Sequence, residues 1–190
     1  MNPLFRFLIV AAAAFFGHRS SLLCTSRLRF CVLLNDLDLN LHMNNGRYLG
    51  VCDLGKIDVM IRSGTASIAI RRKWRPLIGG SVIRHRFGMG PFRRFELVTR
   101  VLCWDDKWFY FQHRIETEGG TAAMAFSKAL LHDGYRSVSP EEVLAALKLR
   151  LTAPPIPDAI GEWLLLDGML SADATEKRVP VSSPRQSPSG

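Results

Sequence analysis

The stretch Asn35-Asp36-Leu37-Asp38-Leu39-Asn40-Leu41-His42-Met43-Asn44-Asn45-Gly46-Arg47-Tyr48-Leu49 decides how the rest of the chain is interpreted. Its apolar residues alternate with polar ones, so an extended backbone would place the polar side chains on one face. The polar residues of this alternation are Asp38, Asn40, His42 and Asn44. Asn44 and Asn45 stand where a helix needs an N-cap, because apolar residues at helical spacing begin at Tyr48. The N–H groups of a helix N-terminus stabilise negative charge, so we expect a site for a substrate carbonyl here.

The sequence on either side of this stretch predicts an α+β fold. Alternation from Leu28 to Leu34 predicts a first strand that leads into the stretch. Apolar spacing then predicts a helix from about Asn45 to Arg62, which Ser63-Gly64 ends. Residues 66–133 read as five antiparallel strands joined by turns, so the expected plan is one long helix against one face of an antiparallel sheet.

Two further details of this plan are specific. The pair Gly79-Gly80 is expected to turn the chain between two strands, and Ser139-Pro140 is expected to begin a short helix that ends near Arg150. The first of the five strands is expected to contain three apolar residues that alternate with others, Ile68, Ile70 and Trp74.

The chain is expected to divide into four parts. These are an apolar N-terminal segment (1–25), the main domain (26–150), a linker with a C-terminal helix (151–170), and a disordered tail rich in Ser, Pro and charge (171–190). The apolar run from Phe7 to Phe16 is too short to span a bilayer as a helix. It fits either a signal peptide or a helix that packs on the domain or lies on a membrane surface, and we favour such a helix, with membrane contact through residues 1–19.

Composition restricts the class of protein. A chain of 190 residues with 47% hydrophobic content is long enough for one domain with a real core. The four cysteines lie far apart and the five histidines are scattered, so the sequence implies free thiols, no metal and no cofactor. A reduced, cytoplasmic protein, with or without membrane association, is therefore the expectation.

The net charge of +8 is concentrated in one part of the chain. Residues 62–100 contain ten basic side chains and a single acid, Glu96. Such a field attracts phosphate groups, although a solvated basic sheet face is an equal alternative for each residue. Nucleic-acid binding rests on charge alone, because the aromatic residues are interleaved with apolar ones as in a core, and we do not expect it.

The motif Asp38-x-Asn40-x-His42-Met43-Asn44-Asn45-x-Arg47-Tyr48 resembles the signature of hotdog-fold thioesterases of the 4-hydroxybenzoyl-CoA and acyl-carrier-protein kind. Arg75-Pro76-Leu77-Ile78-Gly79-Gly80 resembles that family's turn after the second strand, and the resemblance covers roughly residues 26–133. It implies a hotdog fold, a long helix packed on a curved antiparallel sheet. It further implies hydrolysis of an acyl-CoA or acyl-carrier-protein thioester by a homodimer or homotetramer, with the site at the interface.

The resemblance also assigns roles to residues. Asp38 falls on the position that family members use as base or nucleophile, and Asn40 and His42 match residues that acyl-carrier-protein thioesterases add to it. Asp53 falls where many relatives carry a longer Glu. The other assignments are substrate contacts from Asn44, Asn45, Gly46, Arg47 and Tyr48, and phosphate contacts from Arg72, Lys73 and Arg75.

Several alternatives remain at this stage. His42 is also readable as a capping or core histidine, Asp36 reads as a turn residue, and Leu41 stands where relatives often carry Gly. A non-catalytic, membrane-associated hotdog protein that binds acyl thioesters is the main rival function. A hotdog hydratase or dehydratase is a second rival, but the Asp-x-Asn-x-His arrangement followed by Asn-Asn fits thioesterases better.

Overall fold

The computed structural model describes residues 3–176, and in that part of the chain a run of consecutive strands stands between helices, as in an α+β protein. The helices are α1 (Pro3–Phe16), α2 (Asn45–Arg62), α3 (Thr65–Arg72), α4 (Pro140–Ala146) and α5 (Asp158–Glu176). The strands are β1 (Ser26–Cys31), β2 (Arg75–His85), β3 (Arg94–Trp104), β4 (Phe109–Thr117), β5 (Gly120–His132) and β6 (Ser137–Val138).

The strands form one six-stranded antiparallel sheet in the order β1-β3-β4-β5-β2, with the short β6 paired to β5. Strands β3, β4 and β5 follow one another as hairpins, while β1 pairs with β3 so that Ser26 lies opposite Thr99. Strand β2 pairs with β5 from Arg75 opposite His132 to His85 opposite Ala123. β1 and β2 are therefore the two edges of the sheet.

Helix α2 packs against one face of the sheet, and its predicted bounds are confirmed. Asn44 caps it by accepting a hydrogen bond from the Gly46 N–H group at 2.9 Å. Buried side chains on the helix pack on alternate residues of β3, β4 and β5, as the expected plan requires. The core under the first half of α2 includes Tyr48, Val51, Cys52, Leu97, Ile115 and Ala123.

The predicted strand around Ile68 and Trp74 is wrong, because Thr65–Arg72 is the helix α3. Ile68 is buried while Ile70 is 78% exposed, which a helix allows and a strand with both residues on one face does not. Gly64 and Lys73, with φ angles of 83° and 59°, lie in the left-handed region and bound the helix on both sides. The alternation of two isoleucines over so few residues fits a short helix equally well.

The predicted turn at Gly79-Gly80 is also wrong. Strand β2 continues through both glycines to His85, and the irregularity there is a β-bulge between Ile78 and Gly80. The sixth strand of the sheet is therefore β6 and not the segment before Pro76. The resemblance had placed a family turn where this chain has a bulged edge strand.

Several element ends also differ from the prediction. Strand β1 ends at Cys31, and residues 34–36 form a 3-10 turn instead of the end of that strand. Ser139 caps α4 as predicted, but the helix ends at Ala146. Helix α5 continues to Glu176, beyond the predicted end at Leu170, and the rest of the predicted tail, 177–190, lies outside the described residues.

Residues up to Pro157 form one compact unit, and α5 belongs to a second that begins at Asp158. In the first unit, α1 packs on α2 with Val10 and Ala14 buried, so the N-terminal segment is a helix packed on the domain. Within residues 3–176, we find no helix that combines the length and the apolar character needed to cross a bilayer.

All four cysteines are free thiols. Cys52 and Cys103 are buried, and burial raises the pKa of the Cys52 thiol to about 12 and that of Cys103 to about 11. Such thiols are poor nucleophiles. Cys31 is only half-buried and Cys24 is exposed.

Candidate active site

The motif that precedes α2 is a compact loop and not an extended strand. Leu37 and Met43 face each other in an isolated antiparallel bridge, and the Asp38 N–H group donates to the His42 carbonyl at 2.8 Å. Leu41 has a φ of 58°, and Leu39 has a relative exposure of 102%. The predicted division into a polar and an apolar face is therefore wrong. Short polar side chains that bond the nearby backbone favour such turns over strands.

Asp38 organises this loop through its carboxylate. The Oδ1 atom accepts hydrogen bonds from the Asn40 N–H group at 2.9 Å and from the His42 N–H group at 3.3 Å. The side chain is half-buried, so part of it remains open to a ligand. The two backbone donors fix the orientation of a carboxylate that a bound molecule can reach.

The start of α2 lies directly beside the loop. The Asn44 N–H group donates to the Asp36 carbonyl at 2.8 Å, and the Arg47 N–H group donates to the Asn44 carbonyl at 2.9 Å. Together with the cap to Gly46, these bonds give Asn44 and Gly46, two predicted substrate contacts, a role in the helix start. Asn45 occupies the first helical position.

A cleft of about 360 Å³ opens between this loop and the end of β2. It brings together five of the predicted site residues, namely Asp38, Asn40, His42, Asn45 and Tyr48. Within the described residues, three cavities are larger, at about 670, 660 and 500 Å³, but none of the predicted site residues lines them. The cavity of about 660 Å³ is a groove along β1 and β3. In that groove, Glu96 already pairs with Arg29 and with the neighbouring Arg27. We therefore place the candidate site in the smaller cleft.

The opposite wall of the cleft comes from residues that sequence reasoning missed. They are His85, Arg86, Phe87 and Gly88, at the end of β2 and in the loop after it. That loop is held to the motif by the Met43 N–H group, which donates to the Met89 carbonyl at 2.8 Å. The only signal in the sequence was the basic charge of Arg86 within residues 62–100.

Two ring contacts shape the interior of the cleft. The His42 ring lies against the backbone of Gly88, where a Cβ atom would come within 2.6 Å of the ring. Tyr48 and His85 meet edge to face with ring centroids 4.6 Å apart. Burial raises the pKa of the Tyr48 phenol, a backbone hydrogen bond with Met89 lowers it, and the charge of Asp38 raises it further. His42 is exposed in the cleft, so its interpretation as a core histidine is wrong.

Two of the predicted residues point away from the cleft. Arg47 donates to the Asn35 carbonyl at 3.0 Å, and its Nε atom lies 4.0 Å from Asp36. Asp53 is exposed on α2 and pairs with Lys56 at 2.8 Å. Neither lines the cleft within this chain.

The predicted phosphate contacts lie at the far end of β2. Arg72 ends α3, Lys73 follows it, and Arg75 begins β2, whose other end, His85, lines the cleft. A strand of 11 residues spans roughly 33 Å between its first and last Cα atoms at about 3.3 Å per residue. All three basic residues are exposed, and the guanidinium of Arg72 stacks on Trp74 at 4.9 Å.

A second polar cluster, which the sequence did not reveal, lies beneath the middle of α2. The His113 ring bridges two hydroxyl groups, with Nδ1 3.0 Å from Thr99 Oγ1 and Nε2 2.9 Å from Ser127 Oγ. His113 is 1% exposed. Its burial, reinforced by the charge of Lys56, lowers its pKa to about 3. We call Thr99, His113 and Ser127 the buried polar row.

The described residues contain no group of three or more His, Cys, Asp or Glu side chains that could hold a metal ion.

Comparisons with known proteins give one consistent result. A family model described as the thioesterase-like superfamily matches residues 32–164. Protein THEM6 of Danio rerio is 32% identical over 136 residues, which are 70% of this chain and 65% of that protein. A probable thioesterase of Saccharomyces cerevisiae is 25% identical over 113 residues, 57% of this chain and 49% of that protein.

Among solved structures, the probable thioesterase YbaW of Escherichia coli matches with a TM-score of 0.59 and 18% identity, over 64% of this chain and 96% of that one. This likeness concerns the fold, and the predicted hotdog fold is confirmed. The matched region spans less than two thirds of the length of the curated relatives named above.

Proposed function

The chain belongs to the thioesterase-like superfamily, and from this membership we propose that it hydrolyses an acyl thioester to a free acid and a thiol. One observation carries the proposal: the Asp38 carboxylate is fixed by two backbone N–H groups in a cleft at the N-terminal end of α2. Thioester hydrolysis needs an attacking oxygen, a polarised carbonyl and a thiolate leaving group. A thiol with a pKa of about 8.5 leaves without much acid assistance.

Asp38 supplies the attack in one of two ways. As a general base, it takes a proton from a water molecule whose oxygen attacks the thioester carbon, and the carbon–sulfur bond then breaks to release the thiolate. As a nucleophile, it forms an acyl anhydride with the substrate, releases the thiolate, and is regenerated by water. Both routes need the ionised carboxylate within reach of the carbonyl carbon.

We assign to the N-terminus of α2 the role of binding the carbonyl oxygen of the substrate. The Gly46 and Arg47 N–H groups already donate to Asn44. Asn45 is a residue of the cleft wall, so we assign its N–H group as the donor to the substrate. The positive end of the helix dipole favours the negative charge that develops on this oxygen. His42, whose ring lies on Gly88, orients the substrate or the water.

Basic residues support acyl-CoA or an acyl-carrier protein as the thioester, since both carry phosphate. Arg86 lines the cleft of its own chain. The predicted contacts Arg72, Lys73 and Arg75 require a second copy, and the edge strand β2 offers a way to supply one. If two β2 strands pair antiparallel about Gly80, the partner's Arg75 lies opposite His85.

We therefore include a homodimer in the proposal, with the basic end of one β2 beside the cleft of the other chain. Strand β2 supports this, because it is a long edge strand whose apolar residues Leu77, Ile78 and Val82 are exposed. Light scattering should give twice the mass of the chain or a higher even multiple. A monomer at working concentration would contradict it.

The outer face of α1 supports lipid contact. Apolar side chains cover that face, namely Phe5, Leu8, Ile9, Phe15 and Phe16. An apolar helix face on a chain of net charge +8 suits an anionic membrane surface. Replacing Leu8 and Ile9 by Ser should weaken partition onto anionic vesicles, and unchanged partition would contradict lipid contact by this face.

The decisive experiment for the activity is the Asp38→Asn variant assayed across acyl-CoA chain lengths. The substitution keeps the shape but removes base and nucleophile, so kcat should fall by at least about a hundredfold while KM changes little. Asp106→Asn, an exposed carboxylate in the turn before β4, is the matched control and should keep wild-type kcat. A folded Asp38→Asn protein with near wild-type kcat would overturn the role of Asp38. Acyl-CoA binding without turnover by the wild type would favour the non-catalytic acyl-binding protein.

A further inference from the structure

Helix α1 contains a buried arginine, Arg6, whose guanidinium reaches the start of the motif loop. Arg6 is 6% exposed, and Asp36, its partner, is 2% exposed. The guanidinium donates to both carboxylate oxygens, from Nη1 at 3.1 Å and from Nη2 at 2.6 Å, and Nη2 also donates to the Cys31 carbonyl at 2.7 Å. The pair thus joins α1, the end of β1 and the 3-10 turn at one point.

Hydrogen bonds to Asp36 connect this ion pair to the loop and to α2. Its Oδ2 atom accepts a hydrogen bond from the Leu33 N–H group at 2.9 Å, and its carbonyl accepts one from the Asn44 N–H group at 2.8 Å. Asn44 is the N-cap of α2, and the residues between it and Asp36 form the loop that bears Asp38. Both ends of that loop therefore depend on the position of Asp36.

We propose that Arg6 is a positioning residue for the Asp38 site, acting through Asp36, so that α1 is part of the working site although none of its residues line the cleft. The proposal rests on the proposed thioester hydrolysis for its kinetic part. Without the ion pair, Asp36 keeps its backbone bonds but loses the anchor that fixes them in place. Small misplacements of catalytic groups lower turnover by up to about a hundredfold.

A matched ion pair at the other end of α1 provides the control. Arg62 Nε lies 2.8 Å from Oδ1 of Asp58, which is buried, and Arg62 Nη1 donates at 3.2 Å to the carbonyl of His18, just after α1. This pair also joins a buried carboxylate to an arginine and holds the segment next to α1. It lies at the C-terminal end of α2, away from the loop.

The test compares Asp36→Asn with Asp58→Asn in the full chain, with Arg6→Lys as a third variant. Circular dichroism first establishes that each variant is folded. We then measure kcat and KM of the folded variants with the acyl-CoA that the wild type hydrolyses fastest. Hydrogen exchange of residues 36–48 is measured in parallel. We expect Asp36→Asn and Arg6→Lys to lower kcat by about tenfold or more with KM changed less than about threefold, and to speed exchange in residues 36–48. Asp58→Asn should leave kcat and that exchange unchanged.

The outcomes separate the two proposals. Equal losses of kcat in Asp36→Asn and Asp58→Asn, or unchanged kcat and exchange in Asp36→Asn, would overturn the role of Arg6. If Asp36→Asn does not fold, Arg6→Lys decides, because lysine keeps the charge but loses the bidentate geometry. If the wild type hydrolyses no thioester, the proposed function fails, and exchange of residues 36–48 alone decides whether Arg6 positions the loop.

Discussion

The cleft before α2 and the buried polar row beneath its middle use similar side chains in opposite ways. In the cleft, the Asp38 carboxylate accepts two backbone hydrogen bonds through Oδ1, and both Asp38 and the exposed His42 line the cavity. In the row, both ring nitrogens of His113 are satisfied by hydroxyl groups. A polar group sealed in a core stabilises one packing arrangement, whereas a reactive group must keep a face for its ligand. We therefore expect substitutions in the row to change stability and substitutions in the cleft to change turnover.

The largest expected effect is on stability, from His113→Ala. The change leaves two buried hydroxyl groups without a partner and creates a cavity, so the free energy of unfolding should fall by about 3–5 kcal/mol. Urea denaturation measures the loss. The kcat of the folded fraction should not change, and a large loss of kcat would mean that the row takes part in the chemistry.

Lowering the pH should also decrease the free energy of unfolding through the buried polar row. The pKa of His113 is lowered to about 3 from an ordinary value of 6.5. Between these values the unfolded chain binds a proton that the folded chain does not, so stability falls as pH falls, by about 1.4 kcal/mol per pH unit at most. His113→Gln removes this titration while keeping hydrogen-bonding groups. Between pH 6.5 and 4, the free energy of unfolding should therefore fall more for the wild type than for this variant, and urea denaturation at each pH measures it.

Two glycines of α2 allow a further comparison, because one is tightly packed and the other has free space around it. A Cβ atom on Gly55 would collide with Thr99 in the row, whereas one on Gly50 would meet nothing within 4 Å. Gly55→Ala should lower the free energy of unfolding by about 1–3 kcal/mol through overpacking. Gly50→Ala should raise it by up to about 1 kcal/mol, because alanine favours the helix. Thermal unfolding of both variants measures the difference, and shifts of the same sign would contradict it.

His42→Ala should have the smallest effect in this series, and only on activity. If His42 only orients, kcat should fall by roughly tenfold, less than for Asp38→Asn. Stability should stay within about 0.5 kcal/mol, since the side chain is exposed. Steady-state kinetics and urea denaturation on the same preparation check both parts. A stability loss as large as that of His113→Ala would remove the distinction between the two regions.

Local signals explain what the sequence could predict. The bounds of α2 follow from an Asn cap, helical spacing and a Ser-Gly end, and all of these act within a few residues of each other. The strands β3 to β5 follow from alternation and short turns. Asp38, His42 and Tyr48 line the same cleft because one local motif contains all three.

The missed features depend on contacts between distant parts of the chain. His85 and Gly88 reach the cleft only because Met89 pairs with Met43. Arg6 immediately precedes the apolar run from Phe7 to Phe16, and nothing in the sequence around it indicates Asp36 as its partner. Helix α3 was missed because two alternating isoleucines do not distinguish a short helix from a strand.

The order of strands in the sheet has a consequence for how the molecule assembles. The β3-β4-β5 hairpins close over short turns, whereas β1 must find β3 across more than a third of the chain, as in the pairing of Ser26 with Thr99. Loop-closure entropy favours the short connections first, so the central meander is the natural folding nucleus. We therefore expect the loop that bears Asp38 to acquire its geometry late, when β1 and Arg6 dock. A chain halted before that step would contain most of its sheet and still lack a working site.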